Sequence, residues 1–246
     1  MRDLIVAGGG PAGLATALYA VRAGLDVGVR ERRAGVIDKA CGEGLMPGAV
    51  QALADLGVHP AGHPILGIRY LGGDRRAEAR FTSGTGLGVR RTTLHAALLD
   101  AVVAAGVVPE VRPVRRIDDR GDHLLVDGEP TRYLVAADGL HSPVRRMLGL
   151  DRPVTGRRRY GQRVHAEVPP WGPWVEVHWS RRAEAYVTPV GEEQVGVAVL
   201  SHDRVTLREL LTDFPELRRR IGDRGPRSSV LGAGAAATAL ALPGRG

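Results

Sequence analysis

The sequence predicts an α/β fold in which a parallel sheet with crossover helices carries a second, mostly antiparallel sheet. Three observations predict it. The short apolar run Leu4-Ile5-Val6-Ala7 ends in glycines and is followed at once by a helical pattern, the order of a strand buried on both faces and its crossover helix. The first sixty residues and the segment around Leu94 to Leu150 both combine helical and strand patterns and read as one α/β domain. After Pro153 the texture changes to strands with few helices, divided by the Pro169-Pro170 and Gly191-Glu192 turns.

Each element has a local reason. From Pro11 to Ala23 the residues Leu14, Ala17, Leu18 and Val21 recur at helical spacing, with Pro11 in the first turn and Gly24 as the stop. Leu25 to Val29 is the next strand, closing on Glu31. Pro47 to Leu56 reads as a helix ended by Gly57. Ile65 to Leu71 and Arg76 to Phe81 flank Gly72-Gly73-Asp74, a hairpin signal. Thr92 or Thr93 caps a helix running to Ala105, and Gly106 ends it before a strand over Val107 to Val111. Val114 to Ile117, Leu124 to Val126 and Tyr133 to Ala137 form a meander. Gln162 to Val168, Trp174 to Trp179, Ala185 to Val190 and Gln194 to Leu200 are the strands of the second sheet. A helix from Thr206 to Phe214 follows, stopped by Pro215. From Gly225 onward the sequence is Ser, Gly and Ala without pattern and is expected to be poorly ordered. The expected domains are 1–64 with 90–152, then 65–89 with 153–215, then an irregular tail over 216–246.

Composition bounds the function. The chain has 246 residues, 43% hydrophobic and 25% charged, which excludes fibrous and disordered classes. A single cysteine, Cys41, excludes an internal disulfide framework and a Cys-based zinc cluster and suits a reducing cytoplasm. The longest apolar stretch, Val230 to Leu242, is diluted by Gly232, Gly234 and Thr238 and falls short of the roughly 20 residues of a membrane span. The N-terminus lacks signal-peptide flanks, so a cytoplasmic protein is expected. The formal charge of +7 raises nucleic acid as a partner. The arginines are scattered among acids, however, and runs such as Arg218 to Arg220 lack interleaved aromatics, so no nucleic-acid binding is expected. The histidines show no ligand spacing, so no metal is expected.

The chemistry starts at Gly8, Gly10 and Gly13, a G-x-G-x-x-G set between a strand and a helix. The first glycine permits the tight turn, the second lets backbone approach a pyrophosphate at the helix N-terminus, and the third lets helix and strand pack closely. Glu31 closes the second strand, where a carboxylate takes the hydroxyls of an adenosine ribose. This unit alone fits a nicotinamide or a flavin dinucleotide equally, and Arg32 and Arg33 are also readable as clamps for a 2′-phosphate.

The chain as a whole resembles the flavoprotein monooxygenase superfamily that contains p-hydroxybenzoate hydroxylase, geranylgeranyl reductases and flavin-dependent halogenases. The segments that carry the resemblance are Gly8-Gly9-Gly10-Pro11-Ala12-Gly13, Glu31-Arg32-Arg33, Val89 to Leu94 and, most specifically, Val135 to Arg146, which is similar to the family's Asp-Gly motif. The resemblance implies a Rossmann-like FAD-binding domain with an inserted substrate domain. It implies Glu31 on the adenosine ribose, Arg91 near the pyrophosphate, and Asp138 and Gly139 lining the same channel. Arg145 would then meet FAD or the incoming nicotinamide cofactor.

The segment Asp38 to Pro47 resembles the loop that passes close to the isoalloxazine ring in reductase-like members, with Gly42 and Gly44 letting backbone approach the flavin. Cys41 has two readings, first a small buried apolar side chain and second a thiol facing the flavin. Trp171 and Trp174 are spaced W-x-x-W, unlike the halogenase pattern. The resemblance implies FAD as cofactor, NADH or NADPH as reductant, and a small aromatic, polyketide-like or isoprenoid substrate that is hydroxylated or reduced; no catalytic residue is singled out. The rival readings are an NAD(P)-dependent dehydrogenase and a non-catalytic fragment. Family members continue with a Gly-Asp motif that this sequence lacks, and its ending resembles a frameshifted or truncated product, so weak FAD binding and slow turnover are expected.

Overall fold

The molecule was obtained as a computed structural model that describes residues 1–152, 158–222 and 231–235. Strand β1 (Arg2–Ala7) is buried from Leu4 to Ala7, and α1 (Pro11–Arg22) follows with Pro11 in its first turn and Leu14, Ala17 and Leu18 on its buried face. The expected strand ending at Glu31 is β2 (Val27–Glu31), buried throughout. Next come β3 (Gly44–Leu45), α2 (Pro47–Asp55), β4 (His63–Ile65) and the hairpin of β5 (Gly67–Gly72) and β6 (Arg75–Arg80). Strand β7 (Gly86–Gly88) precedes α3 (Arg91–Ala104). The N-cap of α3 is Arg90, without a side-chain hydrogen bond, so Thr92 and Thr93 lie inside the first turn and neither caps the helix.

The strand expected over Val107 to Val111 is only β8 (Glu110–Val111), and the meander is β9 (Ile117–Asp119), β10 (Leu124–Val126) and β11 (Glu129–Ala136). Ladder pairing cannot start at Val114 as expected, because the Arg115 and Arg116 N–H groups donate to the Asp127 carboxylate at 2.9 and 2.8 Å instead. After α4 (Pro143–Met147) the remaining strands are β12 (Arg159–Ala166), β13 (Trp174–Trp179), β14 (Ala183–Gly191) and β15 (Gln194–Ser201). Two short helices close this part, α5 (Leu207–Leu211) and α6 (Pro215–Ile221), and β16 (Leu231–Ala235) comes last. Thr206 and Glu209 cap α5 reciprocally.

Pro215 begins α6 where the sequence was expected to stop, since a proline in the first helical turn gives up no internal hydrogen bond. The irregular tail expected over 216–246 is therefore corrected at two places: α6 runs to Ile221, and Leu231–Ala235 pairs antiparallel with β12. The rest of that expectation, 223–230 and 236–246, lies outside the described residues.

The chain divides into two units. The first comprises Met1–Asp38, Leu45–Gly62 and Thr85–Asp151, and the second Lys39–Gly44, His63–Gly84 and the chain from Arg152. In the first, the sheet order is β8-β2-β1-β11-β10-β9, parallel from β8 to β11 and antiparallel beyond. One core lies between this sheet and α1 and α3, with Leu14, Leu98 and Val102 buried, and a smaller one around Ile5, Val126 and Val144. Arg30, its side chain 1% exposed, ties β2 to the β10–β11 turn through Asp127, Glu129 and the Val126 carbonyl. In the second unit the order is β16-β12-β15-β14-β13-β5-β6, antiparallel except for β13 beside β5. Its core sets Val164, Val187 and Val197 against Leu210, Phe214 and Leu217 of the helical segment. No helix among the described residues is long and apolar enough to cross a membrane.

Candidate cofactor site

In the first unit the end of β1 carries the glycine turn. Gly8 has φ +111°, and a Cβ there would overlap the backbone of Ala137 and Asp138, while one on Gly13 would overlap the Gly8 carbonyl. Only glycine permits this crossing of strand, turn and helix. The turn also draws Asp138 to the end of β1, because the two backbones touch.

Gly10 differs. A Cβ on it would meet only the Arg91 Nη2 at 3.8 Å, so the space in front of it is open. Helix α1 starts at this open space without a side-chain cap, leaving the first N–H groups of its N-terminus for a ligand.

Glu31 stands beside the turn. Its Oε2 accepts the Gly9 N–H at 2.9 Å, and its Oε1 accepts the Arg33 N–H and Nε at 3.2 and 3.1 Å. Burial pushes its carboxyl up, but the Gly9 hydrogen bond and the Arg33 guanidinium outweigh this and hold it below the usual range. The carboxylate is therefore ionised, and the Gly9 and Arg33 hydrogen bonds leave one of its four lone pairs able to accept a hydroxyl donor.

His95 holds the turn from the other side. Its Nδ1 accepts the Ile37 N–H at 3.3 Å, which leaves Nε2 to donate to the Gly9 carbonyl at 2.7 Å. Burial lowers its pKa, and the nearby Arg91 adds to that effect, so the imidazole is neutral in one tautomer.

A cavity of about 500 Å³ opens next to this constellation. Gly9, Glu31 and Arg33 line one end, and Leu99, Val103 and Val111 line the walls. Val103 and Val111 are 47% and 62% exposed, so the mouth of the cavity is apolar. Two buried polar atoms of this unit, Arg90 Nε and Asp138 Oδ1, have no hydrogen-bond partner among the described residues. Open space at Gly10, an uncapped helix start, an ionised acid and apolar walls suit the pyrophosphate, ribose and base of an adenine dinucleotide.

The sequence-predicted residues divide accordingly. Gly8, Gly10, Pro11, Ala12, Gly13, Glu31, Arg33, Arg91 and Asp138 gather around the turn. Arg32 is exposed and does not line the cavity, and Gly139 is exposed with φ +89°. Arg145 is turned elsewhere: its guanidinium donates to Asp151 at 2.8 Å and to the Leu140 carbonyl at 2.9 Å. The Asp138 Oδ2 accepts the Val144 N–H, so this acid also caps α4. Cys41 and Gly42 belong to the second unit. The first reading of Cys41 is corrected: the thiol is exposed, while Glu43, two residues on, is the buried side chain of this loop. Sequence reasoning missed His95 and the walls Leu99, Val103 and Val111, which read as ordinary helix and strand positions. Among the described residues no group of three or more His, Cys, Asp or Glu is arranged to hold a metal ion.

Residues 1–219 match the family described as FAD binding domain. The chain belongs to that family. This FAD binding domain is 31% identical to the menaquinone reductase of Mycobacterium tuberculosis over 249 aligned positions, covering 88% of this chain and 60% of that protein. It therefore spans about three-fifths of the length of those relatives. Its fold resembles that of a geranylgeranyl bacteriochlorophyll reductase-like protein from Thermoplasma acidophilum, with a TM-score of 0.80 at 22% identity over 98% of this chain and 68% of the other. It also resembles p-nitrophenol 4-monooxygenase from Pseudomonas putida, with a TM-score of 0.77 at 18% identity over 96% and 68%.

Proposed function

We propose that this chain is an FAD-dependent oxidoreductase that draws electrons from NADH or NADPH and acts on a small aromatic, polyketide-like or isoprenoid molecule, a prenylated quinone among them. The observation that carries the reading is the cavity lined by Gly9, Glu31 and Arg33, which follow the carboxyl ends of β1 and β2, together with the open space in front of the neighbouring Gly10. The 31% identity to menaquinone reductase across most of the chain supports a quinone-type substrate.

In this reading the α1 N-terminus and the Gly8 to Gly13 turn receive the pyrophosphate, and Arg91 offsets its charge. Glu31 accepts a ribose hydroxyl, while Leu99, Val103 and Val111 cover the adenine. Asp138, with one unsatisfied carboxylate oxygen, accepts a further hydroxyl of the cofactor. Gly139 borders the same channel. His95, neutral and fixed in tautomer, keeps the Gly9 carbonyl turned away from the phosphates. FAD, when bound, supplies the hydride and electron transfer. The protein's share is binding, orientation and exclusion of water.

The test is calorimetry of ADP and FAD on the purified chain and on Gly10→Val. The parent binds both; the β-branched side chain closes the backbone approach and weakens binding by at least tenfold, in line with losing a charge-assisted hydrogen bond of about 1.5–3 kcal/mol. Equal affinity in the two proteins refutes the site. Oxidation of NADH or NADPH in the presence of FAD and a short-chain quinone then tests the activity.

A further inference from the structure

The second unit contains a buried ionic cluster that no part of the cofactor reading uses. Glu43, Arg163 and His165 have side chains only 1%, 3% and 3% exposed. Arg163 Nη1 lies 2.5 Å from Glu43 Oε1, and His165 Nε2 lies 2.8 Å from Glu43 Oε2. Both basic groups stand on β12, two positions apart and therefore on one face of its sheet. Glu43 comes from the short segment 39–44, so the cluster joins this loop to the strand next to the β16 edge of the sheet.

Two further features show that the join is specific. Glu43 has φ +59°, a left-handed conformation that a non-glycine residue holds only where its surroundings impose it, and such strain concentrates at functional positions. Gly196 on β15 sits opposite His165, and a Cβ there would stand 2.6 Å from Glu43 Oε2. The bare backbone of that residue is what lets the carboxylate reach His165. Thr188 adds a second tie, its Oγ1 donating to the Gly42 carbonyl at 2.7 Å.

We infer that Glu43, Arg163 and His165, with Gly196, form an ionic latch that fixes the 39–44 loop in one conformation and so sets the place of Cys41. Glu43 is a positioning residue. Its own N–H donates to the Cys41 Sγ at 3.4 Å, so the residue that is latched also orients the exposed thiol. A buried ion pair of this kind is weak evidence for stability in itself, and its use is to specify one arrangement over others. The consequence for a flavin rests on the FAD reading above and on the resemblance of this loop to the one that passes close to the isoalloxazine ring in reductase-like members; the latch itself does not.

Cys41 is the chain's one cysteine, so a nitroxide attached to it reports the loop alone. The experiment compares electron paramagnetic resonance spectra of the labelled parent, Glu43→Gln and Gly196→Ala, without FAD. Gln keeps the shape and one hydrogen bond but removes the charge; Ala keeps every charge but occupies the approach to His165. The label moves more slowly in the parent than in either variant, whose correlation times are at least about fivefold shorter while circular dichroism is unchanged. A label of equal mobility in parent and variants overturns the latch, and Gly196→Ala decides it if Glu43→Gln does not fold. In a parallel titration, Glu43→Gln shifts the absorption bands of bound FAD and leaves ADP affinity as in the parent. If neither protein takes up FAD, the cofactor reading fails while the spin-label result still stands.

Discussion

His95 is a single side chain whose removal would be felt in two places at once. Leucine at this position leaves the Gly9 carbonyl and the Ile37 N–H buried without partners, each costing about 1–3 kcal/mol. His95→Leu therefore lowers stability by about 2–6 kcal/mol in denaturant titration and weakens ADP binding, because Gly9 is no longer held. The same residue gives the fold a pH dependence. Its folded pKa lies below the ordinary value of 6.5, so its contribution is complete above that pH and is lost as pH falls toward the folded value. The parent's denaturation midpoint falls on acidification from pH 7 to 5 by more than that of His95→Leu. Arg145 gives the opposite result. Arg145→Ala leaves ADP affinity within about twofold, because the guanidinium is engaged by Asp151 and the Leu140 carbonyl; a tenfold loss in calorimetry would return it to the site. The glycine turn was legible because Gly8, Gly10 and Gly13 fall within one short stretch between a strand and a helix, even though the Ala137 backbone that Gly8 abuts lies far along the chain. His95 was not, since the carbonyl it holds lies 86 positions away and nothing in its helix marks it.

Among the elements, β13 shows best how a buried charge is made tolerable. Glu176 on this strand receives Arg69 Nη1 from β5 at 2.9 Å and His178 Nε2 at 3.1 Å, and Arg220 of α6 lies 3.7 Å away. Burial pushes its carboxyl up, yet the hydrogen bonds from His178, Trp171 and Arg69 prevail and bring it down to about 2. A carboxylate lowered this far contributes stability of about 3 kcal/mol that is present above pH 4.5 and lost as pH falls toward 2. Urea titrations between pH 5 and 2.5 show a steep loss in the parent and a shallow one in Glu176→Gln. The sheets themselves were legible from alternation and turns. The misread boundaries have local causes: a carboxylate of Asp127 captured two N–H groups, and Pro215 opened a helix where a stop was equally good chemistry.

The whole molecule has separate cores in its two units, with the glycine turn in the first and the ionic latch in the second. A ligand of the first unit stabilises it by mass action, by about 2.7 kcal/mol at a hundred times its Kd. Scanning calorimetry with saturating ADP therefore raises the transition of the first unit and leaves that of the second in place; a uniform shift would show that the two unfold together. The discontinuity of each unit was only half legible, because segments such as 39–44 are too short to carry a pattern of their own. The central position of β1 has a consequence for biosynthesis. Its one edge pairs with β2 almost at once, but its other edge pairs with Thr131 to Ala136, which leave the ribosome more than a hundred residues later. At roughly 5–20 residues per second the nascent chain spends many seconds with that apolar edge open. The strands of the second unit's hairpin emerge during this interval and offer an early, wrong partner. Chaperone demand should therefore peak before residue 131 is made, at a stage when the glycine turn already exists but the sheet that supports it does not.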